Sequence, residues 1–313
     1  MVLIASLDSI PRLLMSAPHR LFMLFRISLT VDGDAILPPF TGKVVRSLLI
    51  KAEPRLQSVL GWGSVFEADG VSIHSPKPIH VSTLFRVVDG SEKYLWKSSR
   101  NMQESGEITV STGEILHFYI GFDETISHLV LSALSNIDYI TLFNTKWYLV
   151  KLEMLKTVEL PSDNPGLNLG GAVTVELKTP TLPIDPYKKS CYRRFLPLAG
   201  ILFAYNIGDL LRAERGTLQY VTVVNTLNTY LTETHKVWDT MKRIHYIYEG
   251  KKLPALYGRI TYIVDEEVHK QPELKTLIEN IIVHAQIMGV GSSRAIGFGH
   301  IKVKTHQEPK QDK

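Results

Sequence analysis

The first readable pattern in the chain is LFMLFRISLTV (21–31), a run of apolar and β-branched residues that predicts a strand, closed by a polar turn at Asp32-Gly33-Asp34. Thr41 follows as a candidate N-cap, and from there to about Ala52 the apolar period changes. At roughly 100° per residue, Val44, Val45, Leu48 and Leu49 gather on one face, with Lys43, Arg46 and Ser47 opposite and Lys51 toward one flank. This is an amphipathic helix with a basic solvent side, ended before Pro54. Further strands are predicted at 78–88, 105–111, 115–121 and 146–157, and a helix at 125–136. Several strands with helices between them imply an α+β sandwich.

The segment PSDNPGLNLGGA (161–172) concentrates Pro, Gly, Asn and Asp and reads as a turn-rich linker. Beyond it the plan repeats. VTVELKTP (173–180) alternates as a strand, a helical region covers roughly 187–213, and residues 235–265 read as a hairpin turning near Gly250. PELKTLIENIIVHAQIM (272–288) is a strongly apolar helix with Pro in its first turn, and IKVKT near the end is a last strand. Strand–helix–strand–strand–helix–strand is the ferredoxin-like order. No internal sequence repeat accompanies it.

Composition narrows the function classes only a little. The 313 residues are 44% hydrophobic and 21% charged, and 35 Lys+Arg against 31 Asp+Glu leave a net charge of +4. So mild an excess is compatible with nucleic acid, and the placement of the basic residues has to decide. The single cysteine, Cys191, excludes an internal disulfide and a cysteine zinc cluster. The eleven histidines are scattered, with no H-E-x-x-H arrangement, so neither a metal nor another cofactor is expected. The apolar N-terminus is interrupted by Asp8, Pro11 and Arg12, and no apolar run reaches a membrane-spanning length. A cytoplasmic protein is expected.

The most informative segment is GVGSSRAIGFGH (289–300). Gly289, Gly291, Gly297 and Gly299 form two Gly-apolar-Gly pairs around Ser292, Ser293, Arg294 and, inside the second pair, Phe298. Glycines allow close backbone approach to a ligand, and successive amides can form an anion-binding concavity. Arg294 would add a forked cation suited to phosphate. A dinucleotide fingerprint fails because the third glycine is missing and the order is helix–loop–strand. A Walker loop fails because no Gly-Lys-Ser/Thr ends the motif. A helix C-cap with a bulged turn would explain one glycine but not four.

GVGSSRAIGFG after a long helix near the C-terminus resembles the G-h-G-x5-G-h-G signature of the CRISPR repeat-processing endoribonucleases, of the repeat-associated mysterious protein superfamily. VELKTPTLP (175–183) is similar to the strand that opens that family's second domain. The resemblance implies two tandem ferredoxin-like (RRM-like) domains, here 1–165 with the candidate catalytic helix and 166–313 with the glycine-rich loop. It also implies metal-independent cleavage of CRISPR repeat RNA in precursor transcripts, giving mature guide RNAs. The substrate's 2′-hydroxyl would be the nucleophile, leaving a 2′,3′-cyclic phosphate and a 5′-hydroxyl. The alternative within the superfamily is a non-catalytic guide-RNA-binding subunit of a CRISPR effector complex. Association with such a complex, or a homodimer through apolar segments, fits either.

Many relatives carry a catalytic histidine in or just after the first helix. This chain has none between Thr41 and Ile73, and Lys43, Arg46, Lys51 and Arg55 occupy the region. The resemblance therefore points to a lysine/arginine-dependent variant, with Lys43 the leading cation at the scissile phosphate and Arg46 and Lys51 in support. His19 and His300 are further candidates for phosphate contact, whereas His284 sits in the apolar helix as a structural residue. For RNA grip, Lys188, Lys189, Arg193 and Arg194 interleave with Tyr187 and Tyr192, and Lys251 and Lys252 sit at the hairpin tip. Trp62, Trp96, Trp147 and Trp238 are expected in the core.

Overall fold

A computed structural model of the chain describes residues 17–61, 65–68, 71–74, 76–98, 107–188, 192–248 and 251–307, with only the backbone at 65–68, 71–74, 247, 248 and 251. The expectations that fall on the N-terminal segment, Trp62, Lys189, Cys191 and the side chain of Lys251 lie outside the described residues. In chain order the first half runs β1 (Arg20–Val31), β2 (Ala35–Leu37), α1 (Gly42–Ala52), α2 (Leu56–Leu60), β3 (Val65–Ala68), β4 (Val71–His74), β5 (Ile79–Val81), β6 (Phe85–Val88) and β7 (Ser91–Tyr94). It continues with β8 (Ile108–Val110), β9 (Ile115–Asp123), α3 (Ser127–Ser135), β10 (Ile140–Leu142) and β11 (Thr145–Leu160). β1 pairs antiparallel with β9 on one side and β11 on the other, in the sheet order β10-β11-β1-β9-β6-β7 with β5 also on β9.

One face of this sheet is covered by helices. Phe25, Ile27, Leu29 and Val31 of β1 share a core with Val44, Val45, Leu48 and Leu49 of α1 and with Val130, Ala133 and Leu134 of α3. The apolar stripe read from α1 is thus the buried one, and its hydrophobic burial fixes how the helix is rotated.

The second half runs β12 (Ala172–Thr181), α4 (Ala199–Leu202), α5 (Ala204–Leu211), α6 (Leu218–Tyr230), β13 (Leu231–Glu233), α7 (Val237–Thr240), β14 (Met241–Tyr248), β15 (Lys251–Val264), α8 (Glu266–Lys270), α9 (Pro272–Met288) and β16 (Ile301–His306). Its sheet order is β13-β15-β12-β16, with β14 on β15. Both sheets place the first strand between the third and the fourth, the antiparallel ferredoxin-like arrangement, so the fold is two such units in tandem. The connecting segment is held by α9: Asn280 bonds both the N–H and the carbonyl of Ser162, each at 2.8 Å, and Glu279 accepts from the Leu169 N–H at 2.9 Å.

The structure departs from the sequence reading at three places. The helical region expected at 187–213 begins only at Ala199. Pro183, Pro186 and Pro197 interrupt the segment before it, which is held instead by an Asp185–Arg194 ion pair and an Ile184–Arg193 bridge. α6 was not read at all, because LQYVTVVNTLNTY is rich in β-branched residues. It forms because Thr217 caps the Tyr220 N–H and because Gly200 lets α4 lie directly on the Val224 carbonyl, so tertiary packing overrides local preference. Trp238 is not a core residue: it is 60% exposed, whereas Trp147 is fully buried and Trp96 half-buried.

Candidate functional site

The glycine-rich loop follows α9 and meets the start of α1. A Cβ on Gly42 would collide with the Ile296 carbonyl and come within 2.8 Å of the Gly297 Cα, so the helix and the loop touch backbone to backbone. Thr41, expected to cap α1, instead donates its hydroxyl to the Leu95 carbonyl at 2.6 Å and accepts from the Leu84 N–H at 3.0 Å, fastening the helix start to the sheet. Across the seam Phe40 stacks on Phe298 with ring centroids 4.2 Å apart, and Tyr246 meets Phe298 edge to face at 4.8 Å. α1, β14 and the loop therefore converge on one joint. Lys43, in the first turn of α1, is half-buried beside it.

The glycines and the arginine of the loop pack closely against the rest of the chain. Gly289, Gly291, Gly297 and Gly299 all adopt positive φ, but the chain fills the space in front of each. Gly289 faces the Gly299 carbonyl and the His80 ring, Gly291 the Leu182 carbonyl, Gly297 the Gly42 backbone and Gly299 the Val290 carbonyl. The amides of Val290, Ser292, Ile296, Gly297 and Gly299 donate to backbone carbonyls, and that of His300 to the Thr179 hydroxyl. These amides are spent on the chain's own packing. Phe298 is buried in the aromatic stack. Ser292, Ser293 and Ile296 are the partly exposed residues of the loop.

Arg294 is likewise internal, 3% exposed, with its guanidinium 3.2 Å from Asp209. Asp209, on α5, is the hub of a buried polar network. It also bonds Arg20 of β1, which reaches Asp123 at the end of β9 at 3.0 Å. His284 of α9 stands with Nε2 3.3 Å from the same carboxylate. Asn206 donates to His284 Nδ1 at 3.0 Å and to the Gly289 carbonyl at 2.8 Å, which leaves Nε2 as the proton-bearing nitrogen facing Asp209. Burial alone would push the Asp209 carboxyl up. The His284 hydrogen bond and the charges around it outweigh that and hold it well below the usual carboxylate range. Burial keeps His284 below its ordinary value, so the imidazole is a neutral donor and the negative charge is balanced by the two arginines. The network joins the first sheet to α5, α9 and the loop.

A second buried pair lies beside it. His80 Nε2 is 3.1 Å from His300 Nδ1, and His300 stacks on Tyr119 with ring centroids 4.8 Å apart. Burial drives both imidazoles to the neutral form, His300 to about 3 with help from Lys302 and Lys178. His300, a sequence candidate for phosphate contact, is thus a sealed packing residue. His19 is about half-exposed, 3.7 Å from Glu159.

The remaining candidates lie nearer the surface. Arg46 is half-buried and donates Nε to the Leu60 carbonyl at 3.0 Å. Lys51, at the far end of α1, donates to the Thr141 carbonyl at 2.8 Å. Eight positions apart on the helix, Lys43 and Lys51 are ~12 Å apart along the axis, so the structure does not bring Lys51 to the joint. Arg55 is held by both Glu53 oxygens at 2.8 Å. Lys188 is exposed with its ammonium 4.5 Å over the Tyr192 ring, Arg193 and Arg194 follow at the surface, and Lys252 is exposed on β15. The sequence reading missed Lys77, which lies beside Arg46, and the Asp209 network, whose members are too far apart in sequence to form a motif. Among the described residues no cluster of three His, Cys, Asp or Glu side chains is arranged for a metal ion, and no helix is long and apolar enough to cross a membrane.

Residues 23–158 match the Cas6 N-terminal domain family. No curated protein sequence matches the chain. Among solved structures, a Cas6 product complex superposes with a TM-score of 0.57 at 14% identity, covering 91% of this chain and 99% of that one. A Cas6 substrate mimic complex gives 0.55 at 10% identity over 91% and 99%. A Cas6-related protein from Pyrococcus furiosus gives 0.50 at 11% identity over 91% and 100%. At these identities the likeness establishes the shared fold.

Proposed function

For a chain whose residues 23–158 match the Cas6 N-terminal domain family and whose fold is shared with Cas6 proteins over 91% of its length, we propose an endoribonuclease that binds CRISPR repeat RNA and cuts it within precursor transcripts. The observation that carries this reading is the backbone contact between Gly42 and the Ile296–Gly297 turn, which sets the basic first turn of α1 against the loop at the seam of the two sheets. Solved relatives of this fold are Cas6 proteins held with product and with a substrate mimic, which supports RNA as the ligand.

The chemistry follows from the side chains present. The RNA 2′-oxygen attacks the adjacent phosphorus as it loses its proton, the P–O5′ bond breaks, and the departing O5′ takes a proton, leaving a 2′,3′-cyclic phosphate and a 5′-hydroxyl. Lys43 and Arg46 stabilise the negative charge that grows on the pentavalent phosphate, a role that fixed cations fill without a metal. His80 and His300, beside the loop, are buried, neutral and paired with each other, so neither is open to exchange a proton with the RNA. Slow, single-turnover cleavage is the expected behaviour. Ser292 and Ser293 line the loop's open side, and Lys188, Arg193, Arg194 and Lys252 provide phosphate contacts away from the cut. The division into 1–165 and 166–313 assigns the chemistry to the first unit and much of the grip to the second.

The burial of His80 and His300 favours one alternative, a guide-RNA-binding subunit that does not cut. Incubation with repeat RNA in EDTA separates them: cleavage at one position supports the nuclease, and tight binding without cleavage supports the subunit.

A further inference from the structure

Two successive carbonyls at the end of α2 collect cations from different parts of the chain. Arg46 reaches from α1 to the Leu60 carbonyl at 3.0 Å, and Lys77, just ahead of β5, donates to the next carbonyl, Gly61. Both side chains are half-buried, and among the described residues neither has a carboxylate partner. Two like charges brought together out of water repel each other, and carbonyl dipoles offset this only in part. Such a pair is completed by an anion that both can reach. The fork of an arginine and the point charge of a lysine together fit one phosphate group.

We propose that Arg46 and Lys77 form a two-cation site for a single phosphodiester of the bound RNA, which makes Lys77 part of the RNA-contacting surface. This rests on the RNA-binding reading above but not on cleavage. α1 supplies Arg46 to the pair. α2 itself carries no charged residue, and Arg55 ahead of it is engaged by Glu53. His80 of β5 is turned to His300.

The site carries a pH signature. Burial, with a smaller contribution from Arg46, lowers Lys77 to about 8. A phosphate held there favours the ammonium, so affinity is full below that value and falls as the pH rises through it. The test is fluorescence anisotropy with a uniformly 2′-O-methylated repeat RNA, which stays uncut, at pH 7.0 and 9.5 and across a salt series. Wild type is expected to lose affinity severalfold more at pH 9.5 than Lys77→Arg, which keeps its charge and its affinity. Lys77→Met is expected to bind more weakly already at pH 7.0, with a salt slope smaller by ~0.7–0.9, the share of one phosphate contact. Equal melting temperatures for the variants exclude misfolding as the cause, and Lys77→Arg decides the matter should Lys77→Met fold poorly. A Lys77→Met protein with wild-type affinity and slope, or a Lys77→Arg protein with the wild-type pH dependence, overturns the site. If wild type itself fails to bind repeat RNA, the RNA reading falls first, before any variant is compared.

Discussion

Gly42 and Gly297 come from opposite ends of the chain and lie against each other with no room for a side chain between them, the Gly297 Cα standing 2.8 Å from where a Gly42 Cβ would be. This contact joins the start of α1 in the first ferredoxin-like unit to the loop of the second. Gly42→Ala is expected to cost about 1–3 kcal/mol, as overpacking of a rigid interior does. It should also slow RNA cleavage by more than the loss of folded protein explains. Urea unfolding and single-turnover rates on the same preparation check both.

Lys43→Ala is expected to slow single-turnover cleavage ~100-fold, the scale of losing one charge-stabilising group at a transition state, with little change in repeat affinity. A wild-type rate in this variant would move the chemistry away from the first turn of α1.

Arg294 and Lys188 should separate cleanly. Arg294 is engaged inside the protein, so Arg294→Ala is expected to lower stability by ~3–5 kcal/mol, the cost of stripping a partner from a buried ion pair, and to leave the salt slope of RNA binding intact in whatever protein folds. Lys188→Ala should do the reverse: unchanged melting temperature and a slope reduced by ~0.7–0.9. Salt titrations of RNA binding alongside thermal melts distinguish them.

The Asp209 network gives stability an acid limit. The carboxyl is depressed in the folded state relative to an unfolded value of ~3.9, so its contribution is complete above about pH 4 and is lost as the pH falls toward the folded value. Asp209→Asn should be less stable at neutral pH and show a flatter decline below about pH 4. Urea midpoints from pH 2 to 6 provide the comparison.

The His80–His300 pair acts earlier on the acid side. Both imidazoles are held neutral in the fold, so stability is full above the unfolded value of ~6.5 and declines below it as the unfolded chain takes up protons that the folded one refuses. His300→Gln should remove part of the decline between about pH 6.5 and 4, read from the same series.

Much of the scaffold was legible because its signals are local. β1 declares itself by a dense apolar run, α1 by a stripe that matches its buried face, and α9 by Pro272 at its start and glycine past its end. α6 was illegible because its β-branched residues favour strand, and the helix depends on the Thr217 cap and on the packing of Gly200 on Val224. The glycine pattern was visible, but its meaning was not. Positive φ and a missing Cβ serve equally well to admit a ligand or to let two stretches of the same chain pass closely, and only the surroundings of Gly291 and Gly299 show the second. Asp209 carried no sequence signal, since Arg20, His284 and Arg294 reach it from 189, 75 and 85 positions away.

The most direct measurement is a cleavage assay with the repeat RNA of the protein's own CRISPR array in excess EDTA, with both product ends mapped chemically. A single cut, leaving a 2′,3′-cyclic phosphate on one fragment and a 5′-hydroxyl on the other, and lost in Lys43→Ala, is the expected result. Intact RNA that is nonetheless tightly bound, or a cut that appears only when a divalent metal is restored, would contradict it.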